Sequence, residues 1–202
     1  MTRAATTARA TRRRGAVLEQ AIYAAVLAEL AEVGYASLAL DRVAQRARIG
    51  RGSLYRRWSS RSELVADAVA HALPPLEAPP DSGDVRQDLL ACFEQMYRLL
   101  GGLGRLAFQA VAAELHDPGD NALITLIRER VLEPRLQVVL DVLLKGAGRG
   151  QIRAEAAVPI LARTGPALML QHLVLFGTLP PRAQIEDIVD RVILPAARPD
   201  HA

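Results

Sequence analysis

The sequence predicts an all-α protein of about nine helices. Half of its 202 residues are hydrophobic but only 4% are aromatic, and alanine and leucine, which favour helices, dominate the apolar set. No stretch shows the strict alternation of apolar and polar residues that marks a half-buried strand. Glycines and prolines separate the apolar stretches, so we expect the chain to divide into helices of ordinary length.

The four N-terminal helices are delimited by residues that start or stop a helix. Gly34 ends the first, because glycine tolerates the left-handed conformation at a helix C-terminus. A tight turn at residues 48–50 separates the second from the third. Ser60 and Glu63 form a capping box for the fourth, in which we expect Glu63 to reach back to the amide of Ser60. The predicted spans are about 15–33, 40–47, 51–57 and 61–73.

Five further helices are predicted in the rest of the chain. Residues 74–83 hold four prolines and a glycine and form a loop before these helices. Pro134 falls inside the longest of the five, so we expect a kink or a split there. The predicted spans are about 84–100, 105–116, 121–145, 159–177 and 182–194.

Positive charge is concentrated at one end of the chain. Residues 1–61 hold 12 arginines against 4 acidic residues, a net charge of +8, whereas residues 62–202 carry −5. A basic head on a mildly acidic body indicates that a polyanion binds at one end; the alternative is a merely solvated arginine-rich surface. We divide the chain into a disordered basic arm (1–14), a helix-turn-helix DNA-binding domain (15–60) and a body (61–202) whose first helix (61–73) links the two.

The third predicted helix carries residues that we expect to meet DNA. Arg51 and Ser53 lie early in it and are candidates for base edges in the major groove, because arginine bonds guanine bidentately and serine bonds either base type. The other members of the set are expected near phosphates. The full set is Arg48, Arg51, Gly52, Ser53, Tyr55, Arg56 and Arg61. A solvated basic face is the alternative, also for the arm residues Arg12, Arg13 and Arg14.

Composition also bears on the compartment. Cys92 is the single cysteine, so no disulfide can form within the chain, which fits a reducing cytoplasm. The N-terminus lacks the apolar segment of a secretory signal. No apolar run reaches the roughly 20 residues of a membrane-spanning helix. We therefore expect a cytoplasmic protein without a membrane partner.

Enzyme motifs are missing from the sequence. No serine follows Ser82, which excludes a Gly-x-Ser-x-Gly nucleophile elbow in the body. The glycine-rich stretch 146–150 lacks the preceding strand that a phosphate-binding loop needs. His116 and His172 have no further ligands at a metal-binding spacing. We expect no catalytic residue, no cofactor and no metal; the remaining rival to a regulator is an architectural DNA-binding protein without a ligand.

From about residue 17 to residue 70 the sequence resembles the TetR family of bacterial transcriptional regulators. The family pattern has a Gly-aromatic pair after the first helix, an apolar-x-x-[IV]-A helix, a turn, and a recognition segment that leads into a capped helix. The corresponding segments are Gly34-Tyr35, Leu40–Ala44, Ala47–Gly50 and Arg51–Leu64. The resemblance implies a ligand-responsive, sequence-specific DNA-binding regulator, specifically a repressor that acts as a homodimer on a palindromic operator and responds to an unidentified small-molecule effector.

Three positions depart from the family pattern. Arg48 replaces the usual turn glycine, Gly50 a capping serine and Ala39 a capping threonine. We expect each lost cap to cost about 1 kcal/mol of local stability. Arg48 becomes a candidate phosphate contact in its own right.

The body is expected to hold a ligand pocket, by analogy with the family. Its candidates are large side chains of the body, among which Tyr97 and His172 would supply polar contacts in an apolar cavity. They are Phe93, Met96, Tyr97, Phe108, Met169, His172 and Phe176. The alternative is that these side chains are ordinary core.

The eighth predicted helix is apolar nearly all round, so it needs cover on both sides. A second copy of the chain is the natural cover. The resemblance likewise places the last two helices against a partner subunit. The candidate interface residues are Leu173, Ile185, Ile188, Val189 and Val192.

Overall fold

The computed structural model describes residues 2–101 and 122–198, with side chains from residue 15 onward except Ala16. Every regular element in these ranges is helical, which confirms the predicted all-α class. The predicted helix over 105–116, and with it Phe108, lies outside the described residues. Among the described helices, none is long and apolar enough to cross a membrane.

Most helices begin and end close to the start and stop residues that the sequence predicts. Gly177, in the left-handed conformation with φ of 68°, ends its helix as predicted. The helices are α1 (Thr2–Val33), α2 (Leu40–Arg46), α3 (Arg51–Tyr55), α4 (Arg61–Ala72), α5 (Val85–Gly101), α6 (Ala122–Ile127), α7 (Glu133–Gly148), α8 (Pro159–Phe176), α9 (Arg182–Ile188) and α10 (Leu194–Ala196), with π-helical turns at Arg128–Leu132 and Val189–Ile193 and a 3₁₀ turn at Ala154–Ala156.

Helix α1 begins at Thr2, so residues 2–14 are helical where we expected a disordered arm. The segment contains neither proline nor glycine before Gly15 and is built mainly of alanine, threonine and arginine. Alanine and arginine are among the best helix formers. The prediction gave the run of positive charge more weight than this propensity.

The start of α4 differs in one bond from the predicted capping box. The Ser60 hydroxyl accepts the Glu63 amide at 3.1 Å, as expected. Glu63 does not reach the Ser60 amide, however; its carboxylate accepts the amide of Ser59 at 2.8 Å and the hydroxyl of Ser59 at 2.7 Å. The side chain therefore caps one residue further out than the motif suggests.

The kink predicted near Pro134 takes the form of a π turn at Arg128–Leu132, directly before α7. Proline cannot donate a backbone hydrogen bond, and its ring crowds the carbonyl four residues earlier. A π turn absorbs that mismatch by widening the helix locally. The turn at Val189–Ile193 stands in the same relation to Pro195.

The chain divides into two compact units. The described part of the first runs to Leu73 and from Ala122 to Arg130. It is larger than the predicted DNA-binding domain, because α4 packs against α1 and α6 and buries half of its residues. Its core is centred on Ile22, Val26, Val43, Leu54, Leu64 and Val65.

The second unit is described from Pro74 to Gly101 and from Val131 to Arg198. Phe93 on α5 is fully buried, and α8 passes directly over its ring at Gly165. Val85 approaches α7 in the same way at Gly146. Other members of this core that are at most 1% exposed include Leu89, Val142, Leu143, Met169, Val189 and Ile193.

Candidate nucleic-acid interface

Helices α2 and α3 are joined by a short turn and fixed by buried side chains. Val43 on α2 is fully buried and Leu54 on α3 is 1% exposed. Ile49 in the turn is half-buried, and its amide donates to the carbonyl of Ala44 at 2.9 Å. These contacts turn the remaining sides of α3 outward, because a helix of five residues has only one face to bury.

Arg48, in the turn, adopts the left-handed conformation with φ of 56°. This is the position at which the sequence departs from the usual glycine. The backbone therefore keeps the geometry that glycine favours, although the residue is arginine. The conformation costs an L-residue roughly 1–2 kcal/mol, so the turn is strained. The Arg48 side chain is exposed at this turn.

The outer face of α3 carries a small hydrogen-bonded network. Arg51 donates to Asp41 of α2 at 3.0 Å and to the hydroxyl of Tyr55 at 3.1 Å. Arg56 donates to the hydroxyl of Ser53 at 3.1 Å. The Tyr55 hydrogen bond and the charge of Asp41 raise the pKa of Arg51. Arg51 is thus held in place by a carboxylate that DNA would have to replace.

The distribution of carboxylates separates the arginines of the head into two groups. Arg42 and Arg46 on α2 form ion pairs with Glu29, and Arg46 also pairs with Glu32. Arg57 pairs with Glu19 of α1 at 3.0 Å. Their charges are therefore largely neutralised within the protein.

Arg48 and Arg56 have no carboxylate partner within the described residues, and both side chains are exposed. Gly52 lies between them in sequence, with open space around it apart from the flexible end of Arg56. Exposed cations beside a position without a side chain form a surface that a phosphate backbone can approach closely. These two unneutralised charges thus lie at the turn and directly after α3.

Arg61 has a different environment from the other predicted DNA contacts. Its guanidinium donates to the carbonyl of Ala36 at 3.3 Å and lies 4.3 Å from the centre of the Tyr35 ring. Tyr35 is itself buried and hydrogen-bonded to Ser62 at 2.6 Å. Arg61 therefore ties the start of α4 to the segment between α1 and α2, and a phosphate contact from it stays a prediction.

A polar link that the sequence did not reveal joins the segment after α3 to the π turn after α6. The indole nitrogen of Trp58 donates to the carboxylate of Asp67 on α4 at 2.8 Å. The other oxygen of that carboxylate accepts from Arg130 in the π turn. Asp67 and Arg130 are 63 residues apart, so no local periodicity could have paired them.

The predicted ligand pocket stays a prediction as a whole, because its candidate Phe108 lies outside the described residues. Phe93 and Met169 are fully buried and serve the core. Tyr97 is covered by Arg182, 5.1 Å from its ring centre. His172 packs on Phe176, which is 65% exposed.

Met96 is the exception among the described pocket candidates, because it lines a cleft beside Cys92. For the other candidates a place in the pocket stays a prediction, because helical spacing cannot distinguish a side chain that packs from one that borders a void.

Most residues predicted at a dimer interface are buried in the chain's own core. Leu173, Ile185, Ile188 and Val189 are each at most 6% exposed, and of the five only Val192 is exposed, at 41%. Within a single chain only Val192 is therefore open to a partner, and an interface over all five residues stays a prediction. The apolar side chains that do face solvent on α8 are Ile160, Leu168, Val174, Leu175 and Phe176.

Comparison with protein families matches both parts of the chain. A family model described as "Bacterial regulatory proteins, tetR family" matches residues 22–68. A second model, described as "Tetracyclin repressor-like, C-terminal domain", matches residues 79–192. The two matches cover the helix-turn-helix region and most of the body.

Individual relatives agree with the family models. An uncharacterised HTH-type transcriptional regulator of Mycobacterium tuberculosis is 29% identical over 178 residues, 88% of this chain and 87% of the relative. The DNA-binding transcriptional repressor TetR of Mycobacteroides abscessus is 28% identical, covering 92% and 97% of the two chains. The crystal structure of the TetR family transcription regulator SCO0332 has a TM-score of 0.65 at 26% identity, covering 90% and 99%.

Proposed function

The chain belongs to the TetR family of bacterial transcriptional regulators, and on that basis we propose that it is a ligand-responsive repressor that binds a palindromic operator as a homodimer. That it is a DNA-binding transcription regulator, and not an enzyme, follows from the family models and the named relatives. We place its action in the bacterial cytoplasm, where the chromosome lies.

The observation that carries the proposal is the unneutralised charge of Arg48 and Arg56 beside the open surface at Gly52. In the proposed complex α3 enters the major groove with Arg51 and Ser53 at base edges. Because Asp41 holds Arg51 in the free protein, binding exchanges a carboxylate for a base edge or a phosphate. Arg48, Tyr55 and Arg56 grip phosphates and set the register.

The exposed apolar face of α8 supports the dimer. Val174, Leu175 and Phe176 are each about 60% exposed and adjacent in the chain. Consecutive large apolar side chains in water are typical of an interface rather than of a free surface. A two-fold axis through this face brings the same residues of both subunits together, and it presents two heads to the two half-sites of an operator.

Repression and ligand response have separate support. The relative from Mycobacteroides abscessus is named a repressor, and the body matches a tetracyclin repressor-like domain. The link from Arg130 through Asp67 to Trp58 supplies a route by which the region after α6 can bias the position of α3. A ligand shifts that equilibrium only if it binds one arrangement more tightly than the other.

The test is selection of bound duplexes from a random pool with the wild-type protein and two variants. Tyr55→Ala should weaken binding to all sequences alike, because a phosphate contact carries no sequence information. Arg51→Ala should change the recovered motif at one position of each half-site. Recovery of the same motif with Arg51→Ala would contradict the proposal that α3 reads base edges through Arg51.

A further inference from the structure

A cleft lies within the second unit, between the segment after α4, helix α5 and helix α7. The space that its walls enclose is about 30 Å³ and rises to about 450 Å³ when the open mouth is included, so a ligand would lie mainly in the mouth. Its walls are mostly apolar, which favours an organic molecule over an inorganic ion. The apolar part of the lining is Leu76, Cys92, Met96, Leu99, Val138 and Val139.

Arg135 on α7 is a half-buried cation in this lining. Its guanidinium donates to the carbonyl of Val131 at 3.0 Å and to the carbonyl of Pro74 at 2.8 Å. No carboxylate pairs with it among the described residues. Burial lowers the pKa of Arg135, as expected for a charge taken partly out of water without a counter-ion.

The other charged groups of the cleft do not supply that counter-ion. Glu77 is paired with Arg98 at 3.2 Å. Burial raises the pKa of the Cys92 thiol to about 12, so it is neutral at physiological pH. Among its described lining residues the cleft therefore keeps one net positive charge, on Arg135, against an apolar wall.

We propose that this cleft is the effector site of the regulator and that its ligand is an organic carboxylate with an apolar body. A guanidinium has five N–H donors, and Arg135 spends two of them on the two carbonyls, which leaves donors for a carboxylate. The apolar body would cover Met96 and Val139. A cation is disfavoured by Arg135, and a neutral molecule would leave its charge unpaired. The assignment of a regulatory role to the site rests on the proposed function.

The two carbonyls that Arg135 holds are well placed for regulation. Pro74 follows the C-terminal residue of α4 directly, and Val131 follows Arg130, which binds Asp67. Both positions are points where the chain passes between the two units. A carboxylate that binds the remaining donors pulls on the guanidinium and weakens both hydrogen bonds, and the expected effect on DNA binding is release.

Calorimetric titration of the full-length protein tests the site, with octanoate as the probe and octanamide as its uncharged counterpart. Octanoate should bind saturably and octanamide about tenfold or more weakly, because only the carboxylate forms charge-assisted hydrogen bonds. Arg135→Gln should lose octanoate binding by a similar factor. Arg163→Gln, at an exposed arginine outside this cleft, should leave it unchanged.

A second substitution guards against a folding defect. Arg135→Lys keeps the charge but not the planar fork, so it should bind octanoate more weakly than wild type and better than Arg135→Gln. Absence of saturable octanoate binding, equal binding of octanoate and octanamide, or wild-type binding by a folded Arg135→Gln would each overturn the proposal.

DNA binding is measured separately, without a ligand. Specific DNA binding combined with failure of octanoate binding refutes the cleft alone. Arg135-dependent octanoate binding without specific DNA binding refutes the proposed function and leaves the carboxylate site standing.

Discussion

Arg48 combines a strained backbone with an exposed and unneutralised charge. Replacement by glycine removes the strain of roughly 1–2 kcal/mol but adds backbone entropy to the unfolded chain, about 0.5–1 kcal/mol. We therefore expect Arg48→Gly to stabilise the fold by about 0.5–1 kcal/mol in urea denaturation.

The same substitution should weaken DNA binding and lower the slope of log affinity against log salt by about 1, because one phosphate contact is lost. Arg48→Ala is the matched control, since it removes the charge and keeps the strain. It should weaken DNA binding equally without the gain in stability. Equal stability of the two variants would contradict the role of the left-handed backbone.

Asp41 restrains Arg51 and places a negative charge beside the DNA-binding face. We expect Asp41→Asn to increase DNA affinity on all sequences, because it releases Arg51 and removes repulsion of phosphates. The measurement is fluorescence anisotropy with specific and scrambled duplexes. Asp187→Asn changes net charge equally but removes a carboxylate that pairs with Arg191 in the body. Equal effects of the two substitutions would show that only net charge matters.

At the scale of single residues, the sequence predicted which side chains are buried or cap a helix better than it predicted which side chains pair with each other. Leu54 and Trp58 are buried, as their positions in α3 and its flank indicate, and Ser60 caps α4. The pairing of Arg51 with Asp41 crosses a turn whose geometry depends on the strained Arg48. Such contacts arise from tertiary geometry, which helical periodicity does not encode.

Helix α8 rests on α5 through a position that has room only for glycine. A Cβ at Gly165 would lie 2.6 Å from Cε2 of the fully buried Phe93 ring. Gly165→Ala should therefore destabilise the protein by about 1–3 kcal/mol in spite of its better helix propensity. Gly148→Ala on α7, where nothing lies within 4 Å, should be neutral or mildly stabilising. Urea denaturation of both variants decides whether the close approach is real.

The cap of α4 links its stability to pH. The Ser59 hydroxyl, and next the Ser59 amide, lower the pKa of Glu63 below its ordinary value of 4.5. The stabilisation is present above the unfolded-state pKa and is lost as pH falls through the lower folded-state pKa. Thermal denaturation between pH 6 and pH 3 should show a shallower loss for Glu63→Gln than for wild type. Identical pH profiles would mean that the carboxylate is not held in this way.

At the scale of elements, starts and stops were more predictable than internal distortions. Gly177 and the prolines after Leu73 end their helices where expected. The π turns were not predicted, since Pro134 indicates that the helix is interrupted but not whether it kinks, splits or widens. The helical residues 2–14 were missed because alanine and arginine favour a helix even where charge density favours disorder.

At the scale of the whole molecule, the exposed apolar face of α8 should determine the oligomeric state. We expect a dimer at micromolar concentration by sedimentation velocity. Val174→Asp should convert it to a monomer, because a two-fold interface brings two carboxylates together. Val17→Asp, at an apolar α1 side chain 63% exposed, should leave the dimer intact. A monomeric wild type would contradict the dimer, and a dimeric Val174→Asp would contradict this interface.

The sequence predicted the all-α class. It also showed the resemblance of residues 17–70 to the TetR family, because core and polar positions follow one another there in a long, specific order. It placed the interface partly on Leu173 of α8, which is buried, because a helix that is apolar all round has no face that the sequence pattern marks as outward. The cleft at Arg135 was missed for a similar reason. Its polar contacts are two backbone carbonyls, and carbonyls have no signature in sequence.

The central claim is that α3 reads DNA sequence, and it is tested most directly by selection of bound duplexes from a random pool at two salt concentrations. If α3 reads sequence, one palindromic motif is recovered at both, with total binding reduced at higher salt because phosphate contacts weaken. Binding that has no common motif and disappears at higher salt would show a basic head without sequence readout. That result would contradict the account and favour an architectural role.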